Sequence, residues 1–278
     1  MSGLKNKVVV VTGTASKRGM GHAIALRLAR EGADVVVMDK FTAPKSMFPG
    51  DEGWKGLDEE VQEITALGRR TMAITMDISQ GKDVDAAIAK ILGEFSKIDI
   101  LVHCAAVRGP VGTPLVDHTE KDWQNCLNVN VLGTFLISKA IAKHMIARGE
   151  GGKILILASM AGTHGVKGSS AYCASKYATI GLVKSLALEL APYHINVNAI
   201  NPGAIITNLR DAAFDKMAKE KGISWDKARE EDYKMVGALI PWGRLGSVEE
   251  IANLACFLVT DQSDYITAET VGITGGMI

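Results

Sequence analysis

The stretch VVVTGTASKRGMGHAIALRLAREGADVVVMD, Val9 to Asp39, decides the fold. A short β-branched run from Val8 to Val11, followed by Thr12 and Gly13, reads as a buried strand. From Met20 to Ala29 the apolar residues Ile24, Leu26, Leu28 and Ala29 recur at helical spacing and form one broad face. After Gly32 and Ala33 a second buried strand runs from Val35 to Met38. Strand, glycine loop, helix and strand make a βαβ unit. Its loop aims bare backbone N–H groups at whatever lies above the helix start, an arrangement that suits a pyrophosphate.

The alternation continues along the chain. Further buried strands are predicted at Thr71–Met76, Ile98–His103, Lys153–Leu157, Ile195–Ile200 and Thr270–Ile273. Helical patterns lie near Leu57–Leu67, Val84–Phe95, Trp123–Arg148, Tyr172–Leu190 and Val248–Val259. Seven strands separated by helices predict an α/β protein with a doubly wound, Rossmann-type, mostly parallel sheet and helices on both faces. Two segments fall outside the rhythm. Lys40 to Gly56 is polar, contains Pro44, Pro49 and three aromatics, and reads as a long loop. Asn208 to Pro241 is charged, has helical stretches and reads as a lid on a single domain spanning 1–278.

Composition narrows the function classes. Lys plus Arg total 31 and Asp plus Glu total 31, so no global charge recruits nucleic acid or an anionic membrane. The opening MSGLKNKVVV lacks a signal-peptide hydrophobic region, and no apolar run is long enough to span a bilayer. Cys104, Cys126, Cys173 and Cys256 are scattered, with no CxxC pair. Free thiols in a reducing cytoplasm are the expectation, with no metal site.

Gly13, Gly19 and Gly21 form the pattern G-x5-G-x-G, and Asp39 ends the next strand. An acidic side chain there accepts hydrogen bonds from both ribose hydroxyls and repels a 2′-phosphate, which favours NAD over NADP. Alternatively it caps the following loop, and Lys40 beside it offsets its charge. Asp77 either meets the adenine amino group or caps the helix after it. Further on, AYCASKYATIG places Tyr172 and Lys176 one turn apart on one helix face. A phenol titrates near 10 and is a poor base at neutral pH; a neighbouring ammonium and a positive nicotinamide ring favour the phenolate. Taken alone, the pair is equally a surface i,i+4 contact.

Taken together, TGTASKRGMG, NVNVLGTF, LASMAG, YCASK and NPGAIIT closely resemble the single-domain branch of the short-chain dehydrogenase/reductase family, in that family's order from Lys7 to Gly276. The resemblance implies that Tyr172 is the acid/base, that Ser159 hydrogen-bonds the substrate oxygen, and that Lys176 binds the nicotinamide ribose. It implies that Asn130 holds a water that relays protons to solvent. Pro202, Gly203, Ile205 and Thr207 would surround the nicotinamide carboxamide. Gly13, Ser16, Arg18, Gly19, Met20, Gly21, Asp39, Asp77, Ile78 and Ala105 complete the implied cofactor surface, with Lys17 or Arg18 reaching the pyrophosphate.

The implied activity is NAD-dependent interconversion of a secondary alcohol and a ketone by a homotetramer built on the helices Trp123–Arg148 and Tyr172–Leu190. The alternatives are a silent dinucleotide-sensing protein, or an epimerase or dehydratase that retains its cofactor. The sequence departs from the family pattern in three places. The glycine loop carries two extra residues, the usual Asn-Asn-Ala-Gly is His103-Cys104-Ala105-Ala106, and Thr274 replaces the usual Asp.

Overall fold

The computed structural model describes residues 3–44, 46–110 and 112–277, with Ala212 described in its backbone only. The strands are β1 (Val8–Thr12), β2 (Asp34–Asp39), β3 (Thr71–Thr75), β4 (Ile100–His103), β5 (Gly152–Leu157), β6 (Ile195–Pro202) and β7 (Thr270–Ile273). They form one sheet in the order β3-β2-β1-β4-β5-β6-β7, and every pairing is parallel. The expected seven strands are therefore all present, and the sheet is wholly rather than mostly parallel.

Because β-strand side chains alternate between faces, each apolar run feeds two cores. Val8, Val10, Val36, Met38, Leu101, Ile154 and Ile156 pack on one face, against α3 (Gly81–Phe95), α5 (Thr134–Arg148) and α6 (Ser170–Leu190). Val9, Val11, Val35, Val37, Val102, Leu155 and Leu157 pack on the other. There they meet α1 (Met20–Arg30), α2 (Leu57–Ala66) and α9 (Val248–Val259). Continuous Val/Ile runs are what such a doubly covered sheet needs.

One expected helix is divided. Instead of a single helix from Trp123 to Arg148, α4 (Glu120–Leu127) passes into a π-helical turn, Asn128–Gly133, before α5 begins. Two tertiary contacts account for it. The Asn130 side chain is drawn to the backbone of Val107, and Gly133 backs onto Ile78, where a Cβ would lie 2.8 Å from Ile78 Cγ2. The opening of α4 is fixed more ordinarily, by a capping box between Thr119 and Asp122.

The two segments outside the strand–helix rhythm both have internal anchors. In the 40–56 loop Trp54 is buried and donates from Nε1 to Ala15 O at 2.8 Å, which ties the loop to the glycine turn. The 208–241 segment folds into α7 (Asp211–Lys221) and α8 (Trp225–Gly237). Phe214 is fully buried between them and meets Trp225 and Tyr233 edge to face, each at 5.5 Å. These aromatics hold the helix pair together, and none of them lines the two cavities of the crevice described below. The chain winds from β1 outward through β2 to β3, then returns to place β4 on the other side of β1. That reversal opens a crevice at the carboxyl ends of β1 and β4.

Candidate active site

The crevice is floored by backbone. Gly13 leaves β1 with φ +76°, and a Cβ there would stand 2.7 Å from Ala105 Cα and N. A Cβ on Gly21 would collide with the Gly13 carbonyl oxygen. Both glycines are therefore demanded by close backbone approach. Gly19 caps α1 with no side-chain bond to the first turn, and no acidic residue sits there. The N–H groups of that turn remain open to an anion.

Two cavities meet in the crevice. The larger, about 490 Å³, is lined by Gly13, Ser16, Gly19, Met20 and Gly21 of the loop and by Asp39, Asp77 and Ile78 on the β2–β3 side. Ala105, Thr207, Tyr172 and Lys176 line it as well. The smaller, about 220 Å³, is lined by Ser159, Tyr172, Pro202, Gly203, Ile205 and Thr207 among others. Tyr172 borders both. Thr207 also caps the turn that opens the 208–241 segment, accepting Leu209 N–H at 3.4 Å.

The two acidic candidates are held differently. Asp39 accepts Ala15 N–H on one oxygen at 3.1 Å and Lys40 N–H on the other at 2.7 Å. Burial raises its pKa, against the pull of the backbone N–H groups of Ala15, Phe41, Lys40 and Thr14. Asp77 accepts both the N–H and the hydroxyl of Ser79 on Oδ1 and pairs with Lys40 Nζ at 2.6 Å through Oδ2. Asp77 thus holds a local turn and is not the cap of the helix after it, whose N-cap is Gln80, while it still borders the larger cavity. The same pair turns the Lys40 ammonium toward Asp77.

Around Tyr172 the donors are in place. Lys176 is 3% exposed, donates to Leu157 O at 2.8 Å, and holds its ammonium 5.7 Å from the Tyr172 ring centre. Ser159 Oγ accepts Ala161 N–H at 3.1 Å, so its own proton stays available toward the smaller cavity. Asn130 is 1% exposed and lines neither cavity. Its two amide protons go to Val107 O at 2.8 Å and Ser175 Oγ at 2.9 Å, and its Oδ1 accepts Val107 N–H at 2.8 Å. The side chain expected to hold a water is engaged as a strut between the loop after β4 and α6.

His103, at the position of the family's usual Asn, builds a network of its own. Thr134 Oγ1 donates its only proton to Asn130 O at 2.6 Å, so it accepts from His103 Nε2 at 3.0 Å. That fixes the tautomer, and His103 Nδ1 accepts from Thr12 Oγ1 at 2.7 Å. Thr12 Oγ1 in turn accepts Cys104 N–H and Ala105 N–H, each at 3.2 Å. Complete burial, helped by the Lys176 charge, lowers the His103 pKa to about 3, so the ring is neutral.

Arg18 differs most from expectation. It does not line the larger cavity. Its guanidinium is bidentate to Asp51 at 2.9 and 3.0 Å and reaches Asp211 at 2.6 Å, so it is spent on carboxylates rather than left for a pyrophosphate. Arg18 thus clasps the 40–56 loop to the start of α7. These partners lie 33 and 193 residues away, beyond any local pattern.

The family model described as enoyl-(acyl carrier protein) reductase matches residues 13–278. Sorbitol dehydrogenase of Cereibacter sphaeroides is 35% identical, the alignment covering 98% of each chain. NAD-dependent glycerol dehydrogenase of Listeria innocua is 37% identical, covering 98% of this chain and 94% of that one. Among solved structures, NAD+-bound xylitol dehydrogenase superposes with a TM-score of 0.83 at 29% identity, over 98% of this chain and 99% of that one.

Two outcomes test these networks. Arg18→Met strands the buried carboxylates of Asp51 and Asp211 and should lower stability in urea by about 2–3 kcal/mol, with Asp51→Asn and Asp211→Asn together in the same background restoring most of it. His103 folds with its pKa depressed from 6.5 to about 3, so the unfolded chain binds the extra proton between those values and wild type loses stability as pH falls through that window. His103→Gln removes this loss. Its stability deficit, measured by urea unfolding from about pH 7 down to about pH 4, should shrink as pH falls; a constant gap would contradict the neutral ring.

Proposed function

The chain belongs to the short-chain dehydrogenase/reductase family of oxidoreductases, and from that premise we propose that it oxidises a secondary alcohol of a polyol-like substrate to a ketone with NAD, and catalyses the reverse. The observation that carries this reading is the Tyr172 side chain at the junction of the two cavities, with Lys176 beside it and the Ser159 hydroxyl in the smaller one. The polyol dehydrogenases among its relatives support the substrate class.

The cleft fits a dinucleotide. The glycine floor has no room for Cβ atoms, α1 opens uncapped, and one continuous cavity joins Asp39 to Lys176. When bound, the nicotinamide ring supplies the acceptor for the two electrons and hydrogen leaving the alcohol carbon. The protein's residues manage the proton and the charge. Lys176 spends one donor on Leu157 O and keeps two for ribose hydroxyls, which sets its charge beside the phenol. Tyr172 takes the hydroxyl proton during oxidation and returns it during reduction. Ser159 donates to the same oxygen and stabilises the alkoxide character that develops there.

Asn130 acts by position: it fixes Val107 and, through Ser175, the carbonyl of Tyr172 at 2.7 Å. The preference for NAD rests on Asp39, whose carboxylate borders the cavity while Lys40, the nearest candidate to welcome a 2′-phosphate, is paired with Asp77. The 208–241 helices close a single domain as its lid. Phe135 and Leu132 near α5, with Tyr177 and Leu188 on α6, expose apolar surface suited to a homotetramer.

Turnover is followed as the absorbance of reduced nicotinamide over a panel of polyols. Tyr172→Phe should lower kcat by about 10²- to 10⁴-fold while NADH binding, read by fluorescence, persists. Equal turnover in the variant would end the acid/base assignment. Asp39→Asn should raise kcat/KM with NADP at least about tenfold and lower it with NAD, the change expected when one repelling charge is removed. An unchanged ratio would move the cofactor choice elsewhere.

A further inference from the structure

One basic side chain in the site has no partner among the described residues. Arg108 directly follows Val107, whose N–H and C=O are both held by the buried Asn130 amide, so the backbone that carries it is fixed. Its guanidinium makes no hydrogen bond or ion pair among the described residues. It is half-buried and lines both cavities.

The neighbouring arginines are committed: Arg210 is bidentate to Asp232 at 2.9 and 2.7 Å, and Arg18 to Asp51. No Asp or Glu lines the smaller cavity. The charged or titratable groups felt at Arg108 are the Tyr172 phenol and the Arg210 cation. Burial lowers the Arg108 pKa, Tyr172 pushes it up and Arg210 down, yet a guanidinium keeps its proton under all these influences. A partly desolvated cation with no protein partner gains when a ligand fills its donors.

The cofactor's diphosphate has its own place over the glycine floor, and the smaller cavity contains neither Gly13, Gly19 nor Gly21. Arg108 therefore also reaches a cavity outside that place, the one bordered by Ser159 and Tyr172. We propose that Arg108 binds a carboxylate carried by the substrate, so that the alcohol oxidised here is a polyhydroxy acid and its product an oxo acid. This rests on the dehydrogenase reading above. The planar fork of the guanidinium matches a carboxylate in two parallel hydrogen bonds, which a polyol hydroxyl cannot offer. The cavity of about 220 Å³ suits a small chain rather than a large conjugate.

The test titrates NADH-saturated protein by calorimetry with D-gluconate, D-xylonate and D-galactonate, with their neutral counterparts sorbitol, xylitol and galactitol, and with sorbitol 6-phosphate. At least one acid should bind ten or more times tighter than its neutral partner. Arg108→Met should collapse that preference by about 10- to 100-fold, and Arg108→Lys should retain part of it. In turnover the same loss should fall on KM more than on kcat, because the contact is present before and during reaction.

No acid preferred, or acids and polyols weakened equally by Arg108→Met, overturns the proposal. Loss of NADH affinity instead would assign the guanidinium to the cofactor, and preference for the phosphate alone would exclude the carboxylate. The two readings fail separately. Acids that bind through Arg108 but are never oxidised would sink the dehydrogenase and leave the anion site standing; polyol oxidation with no acid preference would do the reverse.

Discussion

The Thr12 hydroxyl is the hinge pin of the site. It stands at the carboxyl end of β1, in register with His103 at the end of β4, where the winding of the sheet reverses. With one oxygen it receives the N–H groups of Cys104 and Ala105 and gives its proton to His103. The two exits from the sheet are thereby held close enough for Gly13 to rest on the Ala105 backbone with no room for a Cβ. From His103 the connection runs through Thr134 to the Asn130 carbonyl, and the Asn130 side chain carries it to Val107. Sheet, π-helical turn and substrate-side loop are one buried network. Such a network is valuable only when fully satisfied, which the single permitted tautomer of His103 achieves.

Much of this was legible in the chain. The β-branched runs gave all seven strands to within two residues at each end, because a sheet covered on both faces leaves no alternation to misread. Gly13, Gly19 and Gly21 were visible as a glycine pattern between strand and helix, and the Tyr172–Lys176 spacing as helical periodicity, although the Ala105 backbone that Gly13 meets lies far away in sequence. The π-helical turn was not. NVNVLG has no proline to betray it, and its cause lies at Val107 and Ile78, known only after folding. The partners of Arg18 were hidden for the same reason. The replacement of the usual asparagine by His103 could be seen but not interpreted, since its meaning depends on hydroxyls from β1 and α5.

The cationic groups in and around the cleft divide by the partners they hold. Lys40, Arg18 and Arg210 each face a carboxylate and serve to hold segments together: β2 to the turn after β3, the 40–56 loop to α7, and the start of the 208–241 segment to α8. Each is satisfied, so a ligand that wanted it would have to break an ion pair. Lys176 and Arg108 stand apart, one bonded only to a backbone carbonyl and the other to nothing among the described residues. Both border the larger cavity together with Tyr172, where Asp39 and Asp77 supply negative charge, and Arg108 also borders the smaller one. The smaller cavity, with no carboxylate among its described lining residues, is short of negative charge. On the reading proposed above, a molecule that brings an anionic group and develops a second negative charge at the reacting oxygen would complete it.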